Sequence, residues 1–304
     1  MSLKSNFKFD SNQISILVEA LPYLQAFKNK IVVVKYGGNA MVNEEFKEQV
    51  LKDIIFLKVA GMKPVVVHGG GPEITANLKK MGKKSEFVSG LRVTDKETIE
   101  TVEMALVGKI NTNLVGLSNL MNGNAVGISG KDANLILAKK YMPIVMGPDG
   151  DEEVDIGFVG KVEKINVSLI ESLVEADFIP FIAPIGVGEN GETYNINADS
   201  VAGEIASALK AEKLIVLTDV KGIYEEYNNE STFISTLTFE KAKELIITGN
   251  IVDGMIPKVQ ACITALSGGA KKAHIVDGRL THTILSEIFS DSGVGTEVVV
   301  QRGE

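Results

Sequence analysis

The chain has 304 residues, with 39 acidic side chains against 31 Lys and Arg, giving a formal net charge of −8. With 45% hydrophobic and 23% charged residues it has a globular composition, long enough for one large core or two smaller ones, and its acidic balance argues against a nucleic-acid or membrane-surface binder. The single cysteine, Cys262, excludes a scaffold of internal disulfides and fits a reducing cytoplasm.

Residues 1–10 lack the apolar run of a signal peptide, and Ser2 stands where myristoylation needs glycine. The longest charge-free apolar stretch, 178–188, is about half of a bilayer crossing, so a cytoplasmic location is expected. Ile14, Leu17, Val18, Leu21 and Leu24 fall at helical spacing, with Asp10 and Ser11 available as caps and Pro22 expected to kink the helix. This stripe precedes the first strand and can serve the chain's own core or another subunit.

Short β-branched runs follow at 31–34, 64–67, 125–128, 180–184, 214–218, 273–276 and 297–300. Several are apolar throughout, as in strands covered on both faces. Helical patterns lie between them at 44–59, 72–81, 96–107, 109–121, 168–176, 199–209, 238–248 and 258–266. The alternation predicts a mostly parallel sheet with helices on both sides. Segments 139–164 and 225–231 are polar and read as an exposed hairpin or insertion and a solvated loop.

Five motifs could carry chemistry. The strand Val33-Val34-Lys35 runs into Gly37-Gly38, which fits either a phosphate site or a plain turn with a snorkelling lysine. Val65-Val66-Val67-His68 runs into Gly69-Gly70-Gly71-Pro72, more glycine than a turn needs, at a predicted helix start that favours anions. His68 reads as a hydrogen-bonded structural histidine. Asn195-Ile196-Asn197-Ala198-Asp199 carries more Asn and Asp than one helix cap requires. In Gly254-Met255-Ile256-Pro257-Lys258 a lysine sits at a positive helix end, which suits a site where bound phosphate reverses the sign. Gly90-Leu91-Arg92-Val93-Thr94 offers a loop arginine whose planar fork fits a carboxylate. Gly186-Val187-Gly188-Glu189-Asn190-Gly191 matches a dinucleotide-binding spacing, but Asn190-Gly191 and the β-forming residues after it predict a hairpin. No Walker A sequence, zinc spacing or Gly-x-Ser-x-Gly elbow occurs.

In this order, and with Leu217-Thr218-Asp219-Val220-Lys221-Gly222 added, these motifs resemble the amino acid kinase family over about residues 30–296. Each is weak alone; the set is specific. The resemblance implies an α/β fold, a three-layer α/β/α sandwich around a mainly parallel eight-stranded sheet. Residues 30–304 would form this domain, its N-terminal half a substrate lobe and its C-terminal half an ATP lobe, with 1–29 an N-terminal oligomerisation helix. It implies ATP-dependent phosphorylation of the side-chain carboxylate of N-acetyl-L-glutamate to an acyl phosphate, a step of arginine biosynthesis. By the same resemblance Lys35 and Lys258 act on the transferring phosphoryl group and Asp199 orients them. Gly37, Gly38 and Gly70 offer backbone N–H groups to it. Gly70, Gly71, Arg92 and Asn195 hold the acetylglutamate, with Arg92 on its α-carboxylate. Mg2+ is carried by ATP, with no dedicated protein ligands. Glu19-Ala20-Leu21-Pro22-Tyr23 looks like the extra helix of arginine-inhibited members, which interlaces dimers into a hexameric ring, a trimer of dimers. Tyr23, His274 and Glu287 would then line an L-arginine site. Two rival readings are a kinase of acetylated aminoadipate and a catalytically silent amino-acid sensor; the presence of both lysines and Asp199 argues against the sensor.

Overall fold

Eight strands form the central sheet: Ile31–Tyr36 (β1), Lys63–His68 (β2), Ala125–Ser129 (β3), Ile179–Ala183 (β4), Lys213–Thr218 (β5), Thr236–Thr238 (β6), Lys272–Asp277 (β7) and Thr296–Val299 (β8). Their order is β6-β8-β7-β5-β1-β2-β4-β3, and only β7 and β8 pair antiparallel. These are the features of a computed structural model that describes residues 11–41, 43–147, 150–226, 229–251, 253–290 and 293–300. Seven of the strands lie on the apolar runs of the sequence; β6, three residues at the sheet edge, is too short to show a period.

The side chains of β1 divide the core. Val33 joins Val65, Val67 and Leu214 on one face, beneath Ser168–Glu175 (α7), Ala198–Ala208 (α8), Phe239–Ile247 (α9) and Ile256–Ser267 (α10). Val32 and Val34 join Val66 and Ile215 on the other. That face is covered by Glu44–Val59 (α3), Gly71–Lys80 (α4), Lys96–Glu103 (α5), Thr112–Leu120 (α6) and Thr283–Ile288 (α11). The result is the expected three-layer sandwich. Strands buried on both faces read as unbroken apolar runs because neither set of alternate side chains meets water.

Three expectations change. The helices predicted at 96–107 and 109–121 are one continuous helical run, α5 to α6, whose middle, Met104–Asn111, is π-helical. Segment 139–164 is the expected hairpin, exposed along much of its length, but it is not free of the core: Ile136–Lys140 and Gly160–Ile165 pair in a second, four-stranded sheet with Ile185–Val187 and Thr193–Asn195, and Ile156, Val159 and Val162 are buried. The antiparallel pairing of Ile185–Val187 with Thr193–Asn195 makes 186–191 the predicted hairpin. At the N-terminus, Pro22 does not kink a single helix. Ser11–Glu19 (α1) ends at Ala20 and Leu21–Phe27 (α2) begins with Pro22 in its first turn, where a missing N–H breaks no helical bond. Asp10, the other proposed cap, lies outside the described residues. Ile14, Leu17, Val18 and Leu21 are exposed, whereas Tyr23 packs edge-on against Phe289 at 6.1 Å between centroids. Among the described residues no helix is long and apolar enough to cross a membrane.

Candidate active site

The alternation of β1 decides where Lys35 points. Val33 faces α8 and α10, and Lys35, two residues on, shares that face. Its ammonium stands 2.9 Å from Asp199 Oδ1. Asp199 lies in the first turn of α8, which is capped by the Asn197 carboxamide oxygen accepting from the N–H groups of Asp199 (2.8 Å) and Ser200 (3.2 Å). Asn197 therefore closes the helix and Asp199 remains for the site. Lys258, in the first turn of α10, brings Nζ to 3.5 Å from Asp199 Oδ2 and donates to the Gly254 carbonyl at 2.8 Å. The helices can approach because position 203 is glycine: a Cβ there would lie 2.7 Å from the Ala261 carbonyl oxygen.

Lys35 and Asp199 are each 6% exposed. Burial alone would push the Asp199 carboxyl up, but the Lys35 and Lys258 ammonium groups outweigh it and hold it below the usual carboxylate range. Burial pushes the Lys258 ammonium down; Asp199 opposes that shift and Lys35 adds to it. Two ammonium groups against one carboxylate leave a surplus positive charge where water is scarce. An arrangement of this kind can hold an anion and can stabilise negative charge that develops beside it.

The glycine motifs adjoin this charge cluster. β1 and β2 run in register, Lys35 beside Val67 and Tyr36 beside His68, and Gly69 N–H donates to the Tyr36 carbonyl at 2.7 Å. A Cβ on Gly37 would stand 2.9 Å from Lys35 Nζ, and Gly38 adopts φ +71°, in the left-handed region. Gly70 and Gly71 begin α4, with Pro72 in its first turn.

Arg92 is not in an open loop, as the sequence reading had it. It ends a two-residue strand, Leu91–Arg92, paired with Phe87–Val88, and it is buried. Its guanidinium donates to Ser85 Oγ, to the Gly71 carbonyl (3.0 Å) and to Thr75 Oγ1 (2.8 Å), and stacks over Phe87 at 4.8 Å. The fork is thus fastened to the start of α4. Asn195 lies close by: its Nδ2 approaches Thr94 Oγ1 at 3.4 Å, and that hydroxyl donates to the Arg92 carbonyl at 2.7 Å.

A cavity of about 810 Å³ opens at the carboxyl ends of β5 and β7, lined among others by Thr218, Asp219, Tyr224, Met255, Lys258 and Asp277. Lys258 therefore connects the cavity to the charge cluster. Among the described residues no three His, Cys, Asp or Glu side chains gather to hold a metal ion.

Of the three residues expected at an effector site, His274 and Glu287 are in contact, and Tyr23 packs on Phe289, two residues beyond Glu287. Glu287 on α11 is buried, its Oε1 2.7 Å from His274 Nδ1, and its Oε2 accepts from Val294 N–H at 3.0 Å. Sequence reasoning missed Lys213, whose Nζ lies 3.4 Å from Glu287 Oε1. A lysine opening a buried strand was its only signal, and a snorkelling side chain reads the same way. Burial would raise the Glu287 carboxyl, but the His274 hydrogen bond and charge, the Val294 N–H and the Lys213 ammonium hold it at about 2. Its ordinary value is 4.5, so this contribution to stability is complete above that pH and is lost as pH falls toward 2. Melting temperatures of the wild type and Glu287→Gln should therefore differ most above about pH 4.5 and draw together as pH falls toward 2. A constant gap at all pH values would contradict the ionised, paired state.

The amino acid kinase family model matches residues 30–277. The chain belongs to the amino acid kinase family and is a kinase. Within the family it is similar to acetylglutamate kinases: that of Syntrophus aciditrophicus is 55% identical over 292 residues, covering 95% of this chain and 98% of that protein. That of Moorella thermoacetica is 53% identical over 285 residues, covering 93% and 96%. Among solved structures, N-acetylglutamate synthase from Neisseria gonorrhoeae, complexed with coenzyme A and N-acetyl-glutamate, superposes with a TM-score of 0.79 at 23% identity, covering 95% of this chain and 64% of that one. Carbamate kinase from Giardia lamblia bound to AMP-PNP gives 0.62 at 18% identity, covering 90% and 99%. These two likenesses show a shared fold.

Proposed function

We propose that the chain transfers the γ-phosphoryl group of ATP to the side-chain carboxylate of N-acetyl-L-glutamate, forming N-acetyl-L-glutamyl 5-phosphate and ADP, a step of arginine biosynthesis. The observation that carries this reading is the Lys35–Asp199–Lys258 cluster, beside two glycine loops and joined through Lys258 to the wall of a cavity of about 810 Å³. The acceptor carboxylate is already nucleophilic, so the reaction needs no strong base; it needs positioning and neutralisation of charge. In this reading Lys35 and Lys258 act on the phosphoryl group from two sides, Asp199 holds both ammonium groups, and Gly37, Gly38 and Gly70 present backbone N–H groups. Gly70, Gly71, Arg92 and Asn195 form the acetylglutamate subsite. The Arg92 fork has five donors and uses three of them in the bonds to Ser85, Gly71 and Thr75, which leaves capacity for the α-carboxylate. ATP would occupy the cavity, its Mg2+ held largely through phosphates and water; the lining carboxylates are Asp219, Glu230 and Asp277, the last paired with Arg279.

Trapping with hydroxylamine tests the reaction directly. Hydroxamate should form only with ATP, Mg2+ and acetylglutamate together. Equal or faster formation from N-acetyl-2-aminoadipate would reassign the substrate.

The same proposal extends to regulation and assembly. Residues 30–304 are the kinase domain, and the N-terminal segment before them joins dimers into a hexamer. The exposed apolar stripe of α1 and the buried Lys213–Glu287–His274 cluster beside α2 support this. L-arginine would bind at Tyr23, His274 and Glu287, and would lower acetylglutamate affinity about 5–150-fold by opposing closure from a distance. Deleting residues 1–28 should leave dimers that turn over with a weakened arginine response. A full-length dimer whose rate ignores millimolar arginine would overturn both parts.

A further inference from the structure

The π-helical segment Met104–Asn111 lies directly over the second glycine loop. A Cβ on Gly70 would stand 2.5 Å from Leu106 Cδ2 and 2.6 Å from Ile110 Cδ1, so two side chains of this segment fill the space that Gly70 leaves. Segments of this kind are rare and are frequently found at functional sites. The last residue of this one, Asn111, is buried, and its Oδ1 sits where a Gly127 side chain would otherwise stand. Its Nδ2 faces the Phe181 carbonyl at 2.8 Å and His68 Nε2 at 3.0 Å.

These contacts leave one consistent set of hydrogens. The Phe181 carbonyl can only accept, so the amide turns its NH2 group that way. The second hydrogen of that group then meets His68 Nε2, which must accept it. The ring proton therefore sits on Nδ1, which lies 3.0 Å from the Gly69 carbonyl and donates to it. The 69–70 peptide is planar and trans, so fixing its carbonyl also fixes the Gly70 N–H on the opposite side.

We propose that Asn111 and His68 are positioning residues for phosphoryl transfer: Asn111 holds His68 in its Nδ1–H form, and His68 thereby aims the Gly70 N–H. This rests on the phosphoryl-transfer reading above. Full burial supports it by keeping the ring neutral, with its titration pushed down to about 4. The Gly69 carbonyl is the other influence on that titration, and it opposes the shift. The groups that meet the ring nitrogens are the Asn111 amide and the Gly69 carbonyl, both uncharged.

The test compares kcat and KM. His68→Leu removes the donor and should lower kcat about 10²-fold, the scale of a small misplacement of a reacting group, with KM for ATP within about threefold. His68→Asn restores an N–H near the Nδ1 position and should recover most of the loss. Asn111→Asp sets an acceptor against Nε2, so the neutral ring carries its hydrogen there and turns a lone pair on the Gly69 carbonyl. In that variant kcat should fall as pH rises through the His68 titration, brought up toward neutrality by the new carboxylate; the wild type should show no such limb. A merely structural role would lower melting temperature without a kcat-only loss, rescue by Asn or a new pH limb. Wild-type kcat in His68→Leu, or no rescue by His68→Asn, overturns the proposal. If His68→Leu does not fold, 15N-histidine spectra of the wild type decide: a hydrogen on His68 Nε2, or a titration above about pH 6, overturns it. The control is wild-type turnover of acetylglutamate. Its absence would remove the phosphoryl-transfer reading, whereas its presence with an unaffected His68→Leu removes only this inference.

Discussion

Lys258→Ala and Lys35→Ala are each expected to lower kcat about 10²–10³-fold, the loss seen when one preorganised charge is removed from a developing anion. Folding should suffer much less. After either substitution Asp199 keeps one ammonium partner, at 2.9 Å if Lys35 remains or 3.5 Å if Lys258 remains, so no lone buried charge is created. Asp199→Ala is the informative contrast. It leaves two ammonium groups facing one another near the ends of β1 and α10, and should cost about 3–5 kcal/mol of stability as well as activity. Steady-state kinetics with calorimetric melts of the three variants separates these effects. A lysine variant with half the wild-type kcat would dismiss the cluster as the reacting centre.

Arg92→Ala should raise KM for acetylglutamate about tenfold or more, because a charge-assisted hydrogen bond is worth roughly 1.5–3 kcal/mol. KM for ATP should stay near its wild-type value, since Arg92 lies on the α4 side of the site and the cavity lies on the β5–β7 side. The fold adds a second consequence. Arg92 also ties the Gly71 carbonyl and Thr75 to the 87–92 hairpin, so removing it loosens the start of α4. Arg92→Lys should keep the charge but lose the fork, recovering only part of the affinity. A raised KM for ATP with unchanged acetylglutamate kinetics would place Arg92 in the other subsite.

Much of this site is legible in short stretches of sequence. Apolar runs buried on both faces mark β1 and β2, and the glycines after Lys35 and His68 mark loops that need close backbone approach. Asn197 followed by Asp199 marks a capped helix start with a carboxylate to spare. The fork of Arg92 is legible in the sequence but its setting is not, because two-residue strands carry no period and the bonds to Gly71 and Thr75 come from a different element. Lys213 went unnoticed for a related reason: its partner Glu287 belongs to α11, and no local pattern links the two.

The sequence by itself determined seven strands of the central sheet and most of the helices, and where glycine loops follow β1 and β2; the family was legible as the resemblance of a set of short motifs. The strands, helices and loops follow from periodicity, glycine and capping, all of which act over a few residues. Only the tertiary structure decided that Lys35 and Lys258 share one carboxylate, because that depends on α8 and α10 crossing at Gly203. It alone decided that residues 96–120 form one helical run with a π-helical centre. Gly108 in that run looks like a break, but packing of Leu106, Ile110 and Asn111 against Gly70 and His68 accompanies a continuous helix there. Local propensity differs between such alternatives by about 1 kcal/mol per residue, less than the burial of a single large apolar side chain, so the packing decides.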